Sequence, residues 1–473
     1  MPELDLLSFR RGTVTAPAGC GKTQLIADCL AGHSADKPVL ILTHTNAGKS
    51  ALESRLTKAK VSSRAFRVAT IDSWSIRLIS SFPQRSGHDR AIEMLNRPNT
   101  DYAAIREAAR TLLRSGDISD VLLATYSHLL VDEYQDCTIP QHNIIGWTAT
   151  VLPTCVLGDP LQAIFGFNDP TVDWAKNVQK NFPPVGELAT PWRWKNTGTE
   201  RLGTWLLEVR RLLLSGEPID LRDAPDEVIW KQLPDDVNAA HKIRLEAART
   251  KPATVDGSVL IIGDSKSPHG QRHMASQTYG ATTVEAVDLR DVTKFGRQFD
   301  LTDARVLESL VSFATNLITG VGEAELLRRV QSLARGTARN KASAAEEAAL
   351  TFQRAPSFAS AQALLLALED APIARVYRPE ALRVLQSALT TAAQGHCTFA
   401  EAVAQAREHN RHIGRPMIRR AVGSTLLLKG LEADTAVILN PEVMDARHLY
   451  VALTRGARKL VVCARTPILT PVE

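Results

Sequence analysis

The amino-acid sequence predicts an α/β protein with two parallel sheets, each interrupted by a helical insertion. Three observations support this fold class. Short apolar runs alternate with helical patterns, a glycine-rich loop follows the first of these runs, and two stretches of helical spacing break the alternation. Strands that alternate with helices form doubly wound parallel sheets, which bind ligands at the carboxyl ends of their strands.

Length and composition define the class of protein. A chain of 473 residues exceeds one compact core, so about three packed units are expected at roughly 100–200 residues per domain. Hydrophobic residues make up 44% and charged residues 23%, which is typical of a globular protein and excludes a disordered one. The net charge of +5 permits nucleic-acid binding without requiring it, because a groove that follows phosphates needs only local charge.

The cysteines and the N-terminus indicate the compartment. The six cysteines are scattered, and no C-x-x-C pair suggests a zinc ribbon or a disulfide framework. The N-terminus carries acids where a secretory signal carries bases, and no apolar run reaches the length of a membrane span. We therefore expect a reduced, cytoplasmic protein that has no membrane partner.

The first sheet is predicted from apolar runs that end in small or polar residues. We expect this core over residues 1–75 and 122–190, with a short helical insertion at 76–121. The predicted strands are Thr13–Ala16, Val39–Thr43, Phe66–Thr70, Leu129–Asp132 and Cys155–Gly158.

The second sheet is predicted over residues 191–290 and 414–473. Residues 291–413, which are rich in Ala, Leu, Glu and Arg at helical spacing, form its insertion. The predicted strands are Ser258–Gly263, Thr282–Val287, Ser424–Leu428, Thr435–Asn440 and Lys459–Cys463.

Residues 16–23 (APAGCGKT) form a candidate phosphate-binding loop between a strand and a helix. Small residues let backbone N–H groups approach phosphates, and the N-terminus of the helix adds positive potential. Lys22 is expected to reach the β- and γ-phosphates of ATP, and the Thr23 hydroxyl is expected to ligate Mg²⁺. The remaining contacts are expected from Ala18, Gly19, Cys20 and Gly21. The alternative is a glycine-rich turn that only caps a helix.

The predicted strand Leu129–Asp132 brings two acids, Asp132 and Glu133, to its end. Asp132 is a candidate Mg²⁺ ligand, and Glu133 is a candidate general base for the attacking water. Alone, such a strand end is more often an exposed turn. Beside a phosphate loop, the two acids predict nucleotide hydrolysis without identifying the task.

Further motifs carry a resemblance to one family. Val131–Asp136 (VDEYQD) resembles the V-D-E-[YF]-Q-D signature of UvrD/Rep-type superfamily 1 DNA helicases, and Gly158–Phe167 resembles their motif III. Leu42–Asn46 and Ala69–Trp74 are similar to motif Ia and the element after it. Pro191–Arg193, Lys429–Glu432 and Tyr450–Arg455 are similar to motifs IV, V and VI. These matches follow the family's order, and they cover both α/β units but neither insertion.

The resemblance implies two RecA-like P-loop cores, with ATP in the cleft between them and DNA across the top. It also implies that Gln162 senses the γ-phosphate and couples it to DNA. Arg193 and Arg455 would act as arginine fingers from the second core, and Gly430 and Glu432 would contribute to the nucleotide pocket. An arginine finger is worth about 10³–10⁵ in hydrolysis rate. The alternative for each arginine is a surface salt bridge.

Single-stranded nucleic acid is bound by aromatic rings that stack on bases, at about 1–3 kcal/mol per base, and by groups that contact phosphates. Core packing is the alternative for the aromatic residues, including Trp74. For Trp192 and Trp194, the sequence does not decide between a base platform and the core. The candidate contacts are Thr43, His44, Thr45, Thr70, Ser73, Trp74, Phe165 and Phe167.

The chain departs from the family pattern at several positions. No glutamine precedes the phosphate loop to read the adenine edge, which leaves adenine selectivity open. Leu426, Asp72 and Asn168 replace residues that donate to DNA in the family. No appended nuclease cluster is present, so a small, nuclease-free member is indicated. Small UvrD-like proteins of antiphage systems such as Gabija act beside a separate nuclease subunit, which is a possible partner here.

The expected function is ATP-dependent 3′–5′ helicase or translocase activity on single-stranded DNA. The alternative is a nucleotide- and DNA-binding sensor or partner-dependent ATPase subunit, as in an antiphage nuclease complex. Intact Lys22, Glu133, Gln162 and Arg455 favour the motor. The residues do not distinguish DNA from RNA as the track, because stacking on aromatic rings does not read the sugar.

Overall fold

The computed structural model describes residues 4–33, 36–95, 97–165, 170–412 and 419–472. The chain divides into two compact units. The first contains the described residues of 1–228, 444–458 and 468–473, and the second contains those of 229–443 and 459–467. In the described part of the chain, no helix has the length and hydrophobicity to cross a membrane.

The first unit contains a six-stranded sheet in the order β3-β2-β4-β5-β1-β6, with every neighbouring pair parallel. β2 is buried along its whole length, as expected for a central strand covered on both faces. The predicted strands β2 and β3 are confirmed with their bounds. The strands are β1 Arg11–Thr15, β2 Val39–Thr43, β3 Phe66–Thr70, β4 Leu129–Val131, β5 Thr154–Gly158 and β6 Pro184–Glu187.

Helices cover this sheet and interrupt it between β3 and β4. They are α1 Lys22–Ala31, α2 Asn46–Lys58, α3 Ile71–Ser81, α4 Pro83–Ser86, α5 Pro98–Ser115, α6 Ser119–Thr125, α7 Ile139–Val151, α8 Trp192–Thr197 and α9 Glu200–Ser215, followed by the short strand β7 Ile219–Asp220. The predicted helical interruption of the first sheet is therefore present as α3 to α6.

The second unit contains another six-stranded sheet, in the order β10-β13-β9-β14-β15-β8. The pairs of β13 with β10 and of β9 with β13 and β14 are parallel. A separate antiparallel pair, β11 and β12, lies within the insertion. The strands are β8 Val228–Gln232, β9 Val259–Ile262, β10 Thr282–Thr283, β11 Ile318–Thr319, β12 Arg375–Val376, β13 Arg420–Gly423, β14 Ala433–Ile438 and β15 Gly456–Ala464.

Among the described residues of this region, two helices precede the insertion, seven belong to it and one follows it. They are α10 Val237–Ala248, α11 Pro268–Gln277, α12 Arg290–Gln298, α13 Val306–Thr315, α14 Glu323–Ala334, α15 Ala344–Arg354, α16 Phe358–Glu369, α17 Pro379–Ala393, α18 Phe399–His412 and α19 Thr425–Leu428. The chain then forms α20 Ala446–Leu453 of the first unit, and β16 Ile468–Leu469 pairs with β7.

The predicted strand Ser424–Leu428 is wrong. This segment is the helix α19, because the Ser424 hydroxyl accepts a hydrogen bond from the Leu427 amide and starts a helical turn. The strand of this region is β13, which ends at Gly423 immediately before the cap.

The boundary between the compact units does not coincide with the predicted start of the second core at Pro191. Residues 191–228 and the segment 444–458 lie in the first unit with the phosphate loop. The division into two cores at residues 190, 290 and 413 stays a prediction.

A buried ion cluster fastens the insertion to the edge of the second sheet. Arg378, which is fully buried at the start of α17, donates to Glu285 Oε1 at 2.7 Å and to Asp291 Oδ2 at 2.6 Å. Arg272 of α11 lies 3.3 Å from Glu285 and 3.2 Å from Asp291. Burial acts to raise the pKa of Glu285, but its bonds to Arg378 outweigh this effect and hold the pKa below its usual value.

Candidate nucleotide and nucleic-acid sites

The phosphate loop connects β1 to α1, as the sequence predicts. Gly19 and Gly21 have φ of +72° and +85°, in the left-handed region that favours glycine. A Cβ atom at Gly21 would lie 2.9 Å from the Trp192 ring, so the loop also has no room for a side chain there. No side chain caps the N-terminus of α1 in the described structure, and no acid lies in its first turn. The loop thus fits a phosphate group.

Lys22 joins this loop to the acids at the end of β4. Its Nζ lies 2.9 Å from Asp132 Oδ1 and 2.5 Å from Glu133 Oε1. Burial acts to lower the pKa of Lys22, but the two carboxylates raise it above its usual value, so the lysine is charged. Burial raises the pKa of Asp132, and Lys22 opposes that effect. Glu133 adopts a φ of +55°, which is unusual for a residue other than glycine.

Hydrogen bonds connect Glu133 to the glutamine of motif III. Gln135 Nε2 donates to Glu133 Oε2 at 2.5 Å, and Gln135 Oε1 accepts from the Asp159 amide at 3.1 Å. Gln162 Nε2 then donates to Asp159 Oδ2 at 3.1 Å. Asp159 also starts the 3₁₀ turn Pro160–Gln162, because its Oδ1 accepts from the Leu161 amide. Hydrogen bonds through Asp159 and Gln135 therefore connect Gln162 to Glu133. Glu133 is in turn paired with Lys22.

Sequence reasoning missed Arg210 on α9. Its guanidinium donates twice to Asp159 Oδ1, at 3.3 Å each, and once to Glu187 Oε1 at 2.9 Å. The Asp159 side chain is fully buried and that of Arg210 is 9% exposed. No motif contains Arg210, and its only signal in the sequence is a charge on the buried face of an amphipathic helix.

Motif IV packs directly on the phosphate loop. The Arg193 amide donates to the Gly19 carbonyl at 3.0 Å, and Arg193 Nη1 donates to the Thr454 carbonyl at 2.6 Å. Trp194 is a core residue with 1% exposure, and its Nε1 donates to the Gly456 carbonyl. Trp192 is 39% exposed, beside Gly21, with Lys195 Nζ 5.3 Å from its ring centroid. Of the two tryptophans, only Trp192 is available as a base platform.

Motif VI lies on α20, which belongs to the same compact unit as the phosphate loop. The Tyr450 hydroxyl accepts a hydrogen bond from the Ala18 amide at 3.2 Å, another contact that sequence reasoning missed. Arg455 is 3% exposed and donates to the Val451 carbonyl at 2.9 Å. The predicted fingers Arg193 and Arg455 are thus linked through Thr454, within the unit that carries Lys22.

Motif V lies in the second unit. Gly430 adopts a φ of +84° in the turn after α19, and the Leu431 amide donates to the Leu428 carbonyl. The predicted contributions of Gly430 and Glu432 to a nucleotide pocket stay predictions. The described residues contain no cluster of three or more side chains arranged to hold a metal ion.

The predicted nucleic-acid residues follow the ends of β2, β3 and β5. The rings of His44 and Phe165 have centroids 5.9 Å apart, and both residues are partly exposed. Thr45 and Thr70 start α2 and α3, because their hydroxyls accept from the Gly48 and Ser73 amides at 3.1 Å. The Thr43 hydroxyl is buried without a hydrogen-bond partner among the described residues.

Two of the predicted contacts need separate comment. Trp74 is 2% exposed and packs in the core of the first unit, so its assignment as a base-stacking residue is corrected. Its neighbour Asp72 pairs with Arg106 of α5 at 2.8 Å, which ties the first insertion to α3. Phe167 and Asn168 lie outside the described residues.

Comparison with known proteins gives one family match. Residues 92–183 match the UvrD/REP helicase N-terminal domain. No curated protein matches the chain. Among solved structures, Arterivirus nonstructural protein 10 (helicase) in complex with DNA is similar at 10% identity and a TM-score of 0.37, over 97% of this chain and 62% of that one. Pif1 helicase from Candida albicans is similar at 13% identity and a TM-score of 0.30, over 57% of this chain and 51% of that one.

The chain therefore spans about three fifths of the first of these helicases and about half of the second. The segment that matches the family contains Asp132 and Glu133, which pair with Lys22, and Gln162, which is linked to them through Gln135 and Asp159. Residues 92–183 are therefore similar to the N-terminal domain of UvrD/REP helicases, and they lie in a fold with a phosphate loop before this segment and two α/β sheets.

Proposed function

We propose that this protein is a DNA-dependent ATPase that moves 3′ to 5′ along single-stranded DNA. The observation that carries the proposal is the connected path from Lys22 through Glu133, Gln135 and Asp159 to Gln162. It joins the group that would hold the phosphates to the turn that leads into Phe165. A path of this kind lets nucleotide occupancy and nucleic-acid binding influence each other.

ATP and Mg²⁺ are the proposed substrates of the loop. The backbone of Gly19 and Gly21 and the open N-terminus of α1 would hold the phosphates. Lys22 would leave the carboxylates and pair with the β- and γ-phosphates. Thr23 and Asp132 would hold the metal that accompanies ATP. Glu133, released from Lys22, would orient and deprotonate the attacking water.

Arg193 and Arg455 are proposed to stabilise the charge that develops on the γ-phosphate. The backbone amide of Arg193 donates to the Gly19 carbonyl, so we expect Arg193 to follow any movement of the phosphate loop. Arg455 follows α20 and donates to the Val451 carbonyl of that helix, so it would have to exchange this bond for the phosphate. The guanidinium groups of both residues thus donate to backbone carbonyls, those of Thr454 and Val451, in the present structure.

Single-stranded DNA is the proposed track, with His44 and Phe165 as the stacking pair. The 3′–5′ direction rests on the family resemblance. RNA remains an alternative track, because the stacking pair contacts bases and does not read a 2′-hydroxyl. A partner-dependent ATPase or sensor acting with a nuclease subunit is the competing function.

The test is ATP hydrolysis by the purified chain with and without single-stranded DNA or RNA, with Lys22→Ala as the blank. Strong stimulation by DNA that is lost in Lys22→Ala supports the proposal. Direction is then read from the displacement of streptavidin from oligonucleotides that carry biotin at the 3′ or the 5′ end. Hydrolysis that is indifferent to both nucleic acids would exclude the motor and favour the partner-dependent ATPase.

A further inference from the structure

The inference concerns Arg210, a buried arginine outside every motif. It lies on the inward face of α9, and its guanidinium reaches Asp159 through two bonds and Glu187 through one. The Glu187 side chain is 56% exposed, so it fixes the guanidinium from the solvent side, whereas Asp159 is fully buried. Two N–H groups of one guanidinium that converge on Oδ1 restrict the position of this oxygen as well as neutralising the carboxylate.

Asp159 is the point through which Arg210 reaches the site. Its Oδ1 receives Arg210 and the Leu161 amide, and its Oδ2 receives Gln162 Nε2. Its own amide donates to Gln135, which in turn bonds Glu133. Any rotation of the Asp159 carboxylate therefore moves the acceptor that holds the Gln162 amide.

We propose that Arg210 is a positioning residue for Gln162, acting through the Asp159 carboxylate. By locking Oδ1, Arg210 keeps Oδ2 directed at the Gln162 amide, so the glutamine is presented in one orientation for the phosphate and the strand. This role rests on the proposed function, because it assigns Gln162 to the coupling of hydrolysis and nucleic acid. The charge of Arg210 persists in this buried position, since Asp159 and Glu187 hold its pKa above its usual value against the effect of burial.

The test is a double-mutant cycle in ATP hydrolysis, built from Arg210→Gln, Gln162→Ala and their combination. Misplacing a catalytic group by about 1 Å lowers rates by up to about 100-fold, so we expect Arg210→Gln to lower kcat by about 10- to 100-fold. We expect little change in the Kd of a fluorescent ATP analogue, since the hydrogen bonds of Arg210 described above go to Asp159 and Glu187 and not to the phosphate loop. If Arg210 acts through Gln162, the double variant is no slower than Gln162→Ala alone.

Arg210→Lys provides a second variant that keeps the charge and protects the fold. A lysine cannot reproduce the forked contact, so we expect an intermediate loss of kcat that also vanishes in the Gln162→Ala background. Arg106→Gln, which removes a partly buried arginine pair with Asp72 away from this path, is the matched control. Its effect on kcat should be small and unchanged by Gln162→Ala.

The proposal would be overturned if the double variant lost kcat by the product of the two single losses, since the residues would then act independently. Full activity of Arg210→Lys would also overturn it. A parallel loss of nucleotide affinity and melting temperature in Arg210→Lys would also overturn it, because that pattern indicates a structural ion pair. The cycle is read on basal hydrolysis as well as on DNA-stimulated hydrolysis. A wild-type enzyme that DNA does not stimulate would therefore defeat the proposed function while still testing Arg210.

Discussion

Lys22 Nζ lies 2.5 Å from Glu133 Oε1, so the lysine of the phosphate loop is paired with the candidate general base. This pairing lets a partly buried lysine and a partly exposed acid neutralise each other, and a bound phosphate would compete for the lysine. Under the proposed function, we expect nucleotide binding to release Glu133 from Lys22. Substitution of Glu133 alone can therefore distinguish its effect on hydrolysis from the effect of Lys22 on nucleotide binding.

Glu133→Gln should abolish hydrolysis and preserve nucleotide binding. The amide keeps a hydrogen-bonding group for Lys22 but cannot accept a proton, and general-base catalysis contributes about 10²–10⁴-fold. We expect kcat to fall by that range, with little change in the Kd of a fluorescent ATP analogue. Glu53→Gln, which alters an exposed acid on α2, is the control. Substantial hydrolysis by Glu133→Gln would assign the base to another residue.

Trp192→Ala should weaken the binding of every nucleoside triphosphate by a similar factor. Its exposed ring beside Gly21 is placed to stack on a nucleobase, and base stacking is worth about 1–3 kcal/mol. Since every base has a flat face, ATP, GTP and CTP should be affected alike. Competition binding with the three nucleotides measures this, and Trp192→Phe should retain most of the affinity. Unchanged affinities in Trp192→Ala would remove the tryptophan from the site.

Phe165→Ala and Trp74→Ala should have opposite phenotypes. Phe165 is partly exposed beside His44, so its loss should weaken single-stranded DNA binding by about 1–3 kcal/mol, measured by fluorescence anisotropy. Trp74 is buried in the core, so its loss should lower the free energy of unfolding by about 3–5 kcal/mol. A stable Trp74→Ala variant with impaired DNA binding would restore the original assignment of Trp74.

Arg378→Met should destabilise the second unit, most strongly near neutral pH. Removing one partner of a buried ion pair typically costs about 3–5 kcal/mol, and here Arg272 alone would remain to compensate the two charges of Glu285 and Asp291. The pKa values of Glu285 and Asp291 are lowered from 4.5 and 3.8. The stabilisation they provide is thus fully present above pH 4.5 and is lost as the pH falls through the lowered values.

The measurement is urea unfolding of both proteins at pH 7 and at pH 4. In Arg378→Met, burial without the arginine should raise the pKa of Glu285, so protonation relieves the unpaired charge at pH 4. The difference in stability between variant and wild type should therefore shrink as the pH falls. Arg328→Met, which removes an exposed pair with Glu325, should show no measurable change at either pH.

Cys20 should resist alkylation although it lies inside the phosphate loop. Burial, reinforced by the charge of Asp159, raises its pKa to about 12, so at pH 8 only about one thiol in 10⁴ is ionised. Cys397 is partly exposed, and we expect maleimide to label it first while ATPase activity survives. Mass spectrometry of the labelled peptides identifies the site. Early labelling of Cys20 with loss of activity would show that the loop opens readily.

The nucleotide site was the most predictable part of the molecule. A glycine-rich loop between an apolar strand and a helix has few other uses, and Lys22, Asp132 and Glu133 meet because their strands end at one edge of the sheet. Arg210 and Tyr450 could not be predicted, because their partners Asp159 and Ala18 are distant in sequence and only tertiary packing joins them.

Two errors arose from local patterns that were interpreted too narrowly. The segment Ser424–Leu428 predicts a strand by its apolar residues, but Ser424 at its start is a helix cap. Trp74 was assigned by its position in a motif, although Ile71, Trp74, Ser75, Leu78 and Ile79 repeat at helical spacing and form the buried face of α3.

The bond between Ala18 and Tyr450 has a consequence for synthesis of the protein. A growing chain presents its phosphate loop early, but the residue that anchors the loop is added 432 positions later. Until α20 emerges from the ribosome, the Ala18 amide lacks this partner, and Arg193 lacks the Thr454 carbonyl. The packing of the phosphate loop on α20 therefore forms only after residue 450 has been synthesised, so the loop cannot reach its final arrangement while it is still close to the growing end of the chain.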